Sequence, residues 1–189
     1  MKRSIIAFFL LLFIFMYTSC KSNQDKIEDY IEQMESNPFA IPYSKMSCWI
    51  NDSIQLKRPW EKAKMKLVVY TDSTKCSECT LKNMYMWEDF VKLEKQYHNE
   101  FEIVYIFQTK TGLYDKKLAS LFYLTELSHP MYVDSKSVFS KVNPQLPKES
   151  LFHIFLLDEN NNVILVGNPL FNPKLEKMLR RTLQEKLKK

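Results

Sequence analysis

The sequence predicts an α/β domain: a mixed β-sheet flanked by helices, preceded by an N-terminal extension. Three features point there. From Lys64 onward, apolar runs alternate with helical-period segments in the order β-α-β-α-β-β-β-α. The runs Lys66–Tyr70 and Phe101–Phe107 are apolar at most positions, as strands buried on both faces are. Asp158-Glu159-Asn160-Asn161-Asn162 separates two further apolar runs and reads as a hairpin turn. Strands joined through helices must be parallel and hairpin strands antiparallel, so the sheet is mixed.

The elements follow in chain order. Lys2 and Arg3 precede an almost unbroken apolar run, Ile5 to Met16, and then Tyr17-Thr18-Ser19-Cys20. The run is too short for a comfortable membrane span and reads as the core of a signal peptide. The small residues before Cys20 resemble a bacterial lipoprotein signal, although Tyr17 stands where such signals usually carry leucine. That resemblance implies removal of residues 1–19 and lipidation of Cys20, with residues 20–63 a tether and extension and 64–189 the main domain. Ile27, Tyr30, Ile31 and Met34 share one face of a short helix that Asn37-Pro38 ends. Lys45–Ile50 and Ser53–Lys57 are short strands. In the main domain, helices are expected over Thr80–Tyr97 and Leu113–Leu127. Strands are expected at Met131–Val133, Leu151–Leu157 and Val163–Val166, with a loop or irregular helix over 135–150. Asn172 caps and Pro173 starts a last helix reaching about Lys186. That helix has an apolar face through Leu179 and Leu183 and a basic outer side.

Composition limits the function. The chain has 189 residues, 46% hydrophobic and 26% charged, which suits one domain with its own core. With only Gly112 and Gly167, no glycine-rich phosphate loop can be written. A net charge of +5 is too small to argue for nucleic acid. Four cysteines are too few for a disulfide scaffold but enough for a redox or acylation site.

Cys76-Ser77-Glu78-Cys79 carries the chemistry. It follows a buried strand and opens a helix, where backbone N–H groups favour a thiolate. Two intervening residues let both sulfurs reach one disulfide. Cys76, the more exposed, is the expected nucleophile, and Cys79 resolves the mixed disulfide. Lys75 lowers and Glu78 raises the Cys76 pKa. A c-type haem would need His where Thr80 stands, and a zinc site would need ligands that no second motif supplies. No cofactor or metal is therefore expected, and a purely structural disulfide is the plainer alternative. Cys48 reads as a buried, inert thiol. Trp87 and Phe90 either flank the motif or sit in the core.

Lys66-Leu67-Val68-Val69-Tyr70 leading into Cys76-Ser77-Glu78-Cys79 resembles the thioredoxin-like fold of TlpA-type, membrane-anchored thiol–disulfide oxidoreductases. Pro130-Met131-Tyr132-Val133-Asp134 resembles the extra strand shared with peroxiredoxins. Phe155-Leu156-Leu157-Asp158 before Asn162-Val163-Ile164 resembles the late hairpin. The likeness covers roughly Lys64 to Leu187, and the chain is also similar to lipoproteins of Bacteroidota. It implies a cell-envelope protein held to a membrane by lipid. Its substrate would be a protein or small-molecule disulfide, and its partner a membrane electron donor. The sequence departs from the family at three places. Phe152, followed by His153, occupies the position of the cis-proline, with Pro147 five residues too early. Tyr70 replaces the buried carboxylate, and Lys75 the tryptophan before the motif. His153 becomes a candidate proton relay. Two rival readings follow: a non-catalytic envelope lipoprotein acting as a binding or assembly module, and a peroxiredoxin-like peroxidase. The peroxidase reading rests on Ser73-x-x-Cys76. It is weakened by Val69 at its proline position and by mature arginines only at Arg58, Arg180 and Arg181.

Overall fold

The computed structural model describes residues 23–50, 53–55, 63–73, 77–109 and 129–187. The expected signal peptide, Cys20 and the Leu113–Leu127 helix lie outside the described residues. The chain divides into two compact units, Met1–Glu32 and Gln33–Lys189. The described part of the first is the beginning of helix α1 (Asn23–Glu35), where Gln24 donates to Glu28 one turn on at 3.3 Å. The rest concerns the second unit.

The strands are β1 (Ser47–Ile50), β2 (Ser53–Ile54), β3 (Met65–Thr71), β4 (Phe101–Gln108), β5 (Met131–Asp134), β6 (Ile154–Leu157) and β7 (Val163–Val166). They form one sheet in the order β2-β1-β5-β4-β3-β6-β7. The central trio β3, β4 and β5 is parallel, while β1, β2, β6 and β7 pair antiparallel with their neighbours. The expected mixed sheet and late hairpin are both present. Asp158 Oδ1 closes the hairpin turn by accepting from the Asn160 and Asn162 amides at 2.9 and 2.8 Å.

One face of the sheet presents Leu67, Val69, Ile103, Tyr105 and Phe107 to a core shared with the helices after β3 and with α5 (Pro173–Leu187). On α5, Leu179, Leu183 and Leu187 are buried and Met178 is exposed. Asn172 Oδ1 caps this helix, accepting from the Lys174 and Leu175 amides at 3.0 and 3.3 Å, as its sequence position predicts. The opposite face is covered from the N-terminal side. The Phe39 ring lies 4.6 Å from Phe155, and Tyr43 lies 5.2 Å edge-on to Tyr132. Asn143 clamps this segment, exchanging two 2.8 Å hydrogen bonds with the Ala40 backbone.

Two expected elements differ. The helix over Thr80–Tyr97 is broken into α2 (Ser77–Lys82), a 3-10 turn (Met84–Trp87) and α3 (Glu88–Gln96). Leu81, Met84, Trp87, Phe90 and Leu93 are all buried at a spacing of three. That spacing matches the three residues per turn of a 3-10 helix better than 3.6, so the middle tightens. The strand expected from Leu151 begins at Ile154, because Ser150–Phe152 forms another 3-10 turn. Within it Leu151 is exposed and Phe152 is buried. In the 135–150 stretch lies α4 (Val138–Val142), whose first amides bond both carboxylate oxygens of Asp134 at 2.8 Å.

Candidate functional site

The carboxyl ends of the parallel strands, Thr71, Gln108 and Asp134, lie at one end of the sheet. The chain moves from β3 through β4 to β5 on one side, then returns to place β6 on the other side of β3. The junction of β3 and β6 is thus a topological switch point, where open α/β sheets leave a crevice. In sequence, the C-x-x-C segment follows β3 and runs into α2. Lys75 and Cys76 lie outside the described residues. Glu78 and Cys79 are placed on α2 by their backbone.

Beside α2 opens a cleft of about 440 Å³. Val69, Trp87, Ile154, Leu170 and Phe171 supply its apolar walls, and Thr80, the residue after Cys79, also lines it. Phe171 stands 70% exposed at the cleft. Gly167 turns the chain into this wall with φ +126 and donates to the Ile154 carbonyl at 2.8 Å.

His153 forms the polar floor and is only 4% exposed. Its Nε2 lies 3.0 Å from the Pro147 carbonyl. Its Nδ1 lies 3.6 Å from Asp72 Oδ2. Its ring meets Tyr70 edge-on at 4.9 Å, and its carbonyl accepts the Tyr70 amide at 2.9 Å. Among the described residues no peptide bond is cis.

Tyr70 is a buried residue near the end of β3. Burial pushes its phenol up to about 12, and the charges of Asp72 and Asp134 push the same way against a hydrogen bond from Ser140. Its hydroxyl donates to Gln108 Oε1, and Gln108 donates to Ser73 Oγ at 3.3 Å. This chain ties the turn before the motif to β4.

The other singled-out residues separate. Trp87 lines the cleft, whereas Phe90 packs 5.5 Å from Trp87 in the core, with the Arg180 guanidinium 5.8 Å over its ring. Phe152 is buried beside His153. Cys48 is a buried thiol on β1, three strands from β3 and so about 14 Å away across the sheet. Asp72 reads from sequence only as turn chemistry; its place after a strand that leads to the motif is the available signal. The wall made by Asn168, Leu170 and Phe171 carries no sequence signal. Among the described residues no group of three or more His, Cys, Asp or Glu is placed to hold a metal ion.

No family model matches this chain, and no curated protein matches it. Solved structures do. An uncharacterised thioredoxin-like protein from Porphyromonas gingivalis is 18% identical, with a TM-score of 0.46, covering 80% of this chain and 95% of its own. The C47S mutant of Xylella fastidiosa PrxQ is 8% identical, with a TM-score of 0.48, covering 79% of this chain and 96% of its own. A thioredoxin-like protein solved in its oxidised form is 16% identical, with a TM-score of 0.51, covering 78% of this chain and 95% of its own. The mixed sheet with its flanking helices is a thioredoxin-like fold.

Proposed function

We propose that this chain is a lipid-anchored thiol–disulfide oxidoreductase working outside the cytoplasm through Cys76 and Cys79. The carrying observation is the open cleft at the switch point, lined by Thr80 of α2, the helix into which the C-x-x-C runs in sequence. The thioredoxin-like fold supports the reading without proving it, since folds host many activities. The Cys76 thiolate attacks one sulfur of a substrate disulfide and expels the other as a thiolate. Cys79 then attacks Cys76 Sγ, releasing the second substrate thiol and leaving the Cys76–Cys79 disulfide. The substrate gains two electrons and the dithiol loses them. An external dithiol, such as a membrane electron donor, restores the reduced form. Lys75 and Glu78 flank the nucleophile in sequence and set its local charge.

Lipidation of Cys20 would hold the domain at a bacterial membrane. Among the described residues no helix is long and apolar enough to cross one. Loss of membrane retention in Cys20→Ser, in a cell fraction, tests this part.

For the chemistry, the mature domain is equilibrated in dithiothreitol buffers and its thiols are counted. One reversible two-electron transition is expected, near about −270 mV for a reductant or about −120 mV for an oxidant. Cys76→Ser should abolish reduction of insulin disulfides. Equal turnover by the variant and wild type would instead favour a non-catalytic binding module.

A further inference from the structure

We propose that the outward face of α5 is a membrane-docking surface that lies against anionic phospholipid headgroups and holds the cleft at the bilayer surface. The proposal rests on the lipid-anchored reading for its membrane and is independent of the thiol chemistry.

The excess charge of the protein is concentrated in one element. Residues 174–189 hold seven lysines and arginines and two glutamates, a net +5, which equals the net charge of the whole chain. The rest of the chain is therefore neutral, and a surface that attracts this protein by charge attracts its last helix.

The exposed residues of that helix share a face. Lys174, Lys177, Met178 and Arg181 are exposed and recur at intervals of three and four, one stripe along α5. Leu179 and Leu183, on the opposite side of the helix, are fully buried in the core, so the basic stripe is fixed outward. Its cations are lightly committed. Among the described residues Lys174 and Lys177 have no ion pair, and Arg181 meets Glu185, the acid on the stripe, at 3.6 Å with the two side chains 67% and 66% exposed. Such an exposed pair holds little. Arg180 takes no part, since it bonds Glu176 at 2.9 Å and lies over the Phe90 ring.

Charge alone would suit any polyanion, and two exposed apolar side chains favour a bilayer. Phe171, just before the Asn172 cap, is 70% exposed, and Met178 sits among the basic residues at 43%. Basic and apolar groups interleaved in this way fit a bilayer surface, where phosphates meet the first and acyl chains the second. Lipid on Cys20 would keep the domain beside that surface, so a face too weak to bind alone can still orient a tethered protein. Phe171 also lines the cleft, so docking by this face sets the cleft at the bilayer, within reach of a membrane-borne electron donor.

The test footprints the lysines. Full-length protein is extracted from bacterial membranes and reconstituted on vesicles of phosphatidylcholine, alone or mixed with phosphatidylglycerol. A water-soluble acetylating reagent is added, and each lysine is scored by mass spectrometry. A Lys or Arg near an anionic surface strengthens contact about fivefold, so Lys174 and Lys177 should be labelled at least about fivefold less on the anionic vesicles. High salt should restore their labelling. Lys136 and Lys141, beside α4 on the other face of the sheet, should not change. Combining Lys174→Glu with Arg181→Glu, both at exposed positions, should leave Lys177 equally labelled on the two vesicles. Equal labelling of Lys174 and Lys177 on the two vesicles in wild type would overturn the docking and leave the lipid-anchored reading standing. Protection of these lysines by soluble polyglutamate, with none by anionic vesicles, would overturn it in favour of an acidic protein partner. Protein absent from the membranes altogether would overturn the anchored reading and the docking with it.

Discussion

Tyr70 shows how one buried side chain sets the electrostatics of a site: its phenol, 5% exposed, keeps its proton well into the alkaline range. The native state holds its proton up to about pH 12, while an unfolded tyrosine releases it near its ordinary value. Above about pH 10 the unfolded chain therefore binds fewer protons than the native one, and stability falls as pH rises toward 12. Below that window the contribution is fully present. Tyr105, fully buried and pushed up mainly by desolvation and further by the Glu94 charge, acts in the same sense. In urea titrations Tyr70→Phe should lose about 1 kcal/mol at pH 7, for the hydroxyl's bonds to Gln108 and Ser140. Between pH 10 and 12 it should decline less steeply than wild type; an unchanged alkaline slope would refute the assignment. Gly167 offers a second test at this scale. A Cβ there would meet Leu175 Cδ1 at 2.6 Å, and φ is +126. The leucine terminus can swing aside but the backbone cannot, so Gly167→Ala should cost about 1–3 kcal/mol in thermal melts. Adding Leu175→Ala should not restore it.

At the scale of elements, α3 is fastened to the sheet through Glu94. This buried side chain accepts the Ile103 amide at 3.0 Å with one oxygen and meets His129 Nε2 at 2.7 Å with the other. Helix α3, β4 and the segment leading into β5 thus share one carboxylate. Glu94→Ala strands two buried partners and should cost about 3–5 kcal/mol. Glu94→Gln retains an acceptor for Ile103 and should cost less than half as much. Hydrogen exchange at the Ile103 amide should quicken in the alanine variant only. Such cross-links also explain what the sequence did and did not make legible. The strands from β3 onward and the final helix could be read because each rests on local spacing. The break at Met84–Trp87 was also written locally, as apolar residues at intervals of three, but a 3.6-residue template smooths over it. The start of β6 at Ile154 depends on Glu149 and Ser150 carbonyls capturing the Phe152 and His153 amides. The apolar run alone hides that turn. His153 was singled out in sequence only by its place next to the cis-proline position of the resemblance. Its partner Asp72 was not, since the pairing exists only once β6 lies against β3.

Within the unit Gln33–Lys189, the face of the sheet away from α5 depends on residues before Lys64. Phe39 is 1% exposed, its ring against Phe155 and 6.4 Å from Phe139, and its amide donates to the Asn161 carbonyl at 2.8 Å. Strand β1 covers the edge of β5 through the pairs Ser47–Val133 and Trp49–Met131. A chain beginning at residue 64 would lose both protections at once. It would expose an apolar face and a bare strand edge, two features that drive association. The damage would also reach the cleft, because Phe139 on α4 packs 5.1 Å from Tyr70, and Tyr70 packs against His153. Within the full chain, Phe39→Ala should cost about 3–5 kcal/mol, the usual loss for a large buried aromatic. The truncated chain should associate in size-exclusion chromatography and bind a hydrophobic dye. If it instead stayed monomeric and melted cooperatively, the covering segment would be dispensable. The coupling from Phe39 through Phe139 to Tyr70 would then carry no weight in holding His153 at the cleft.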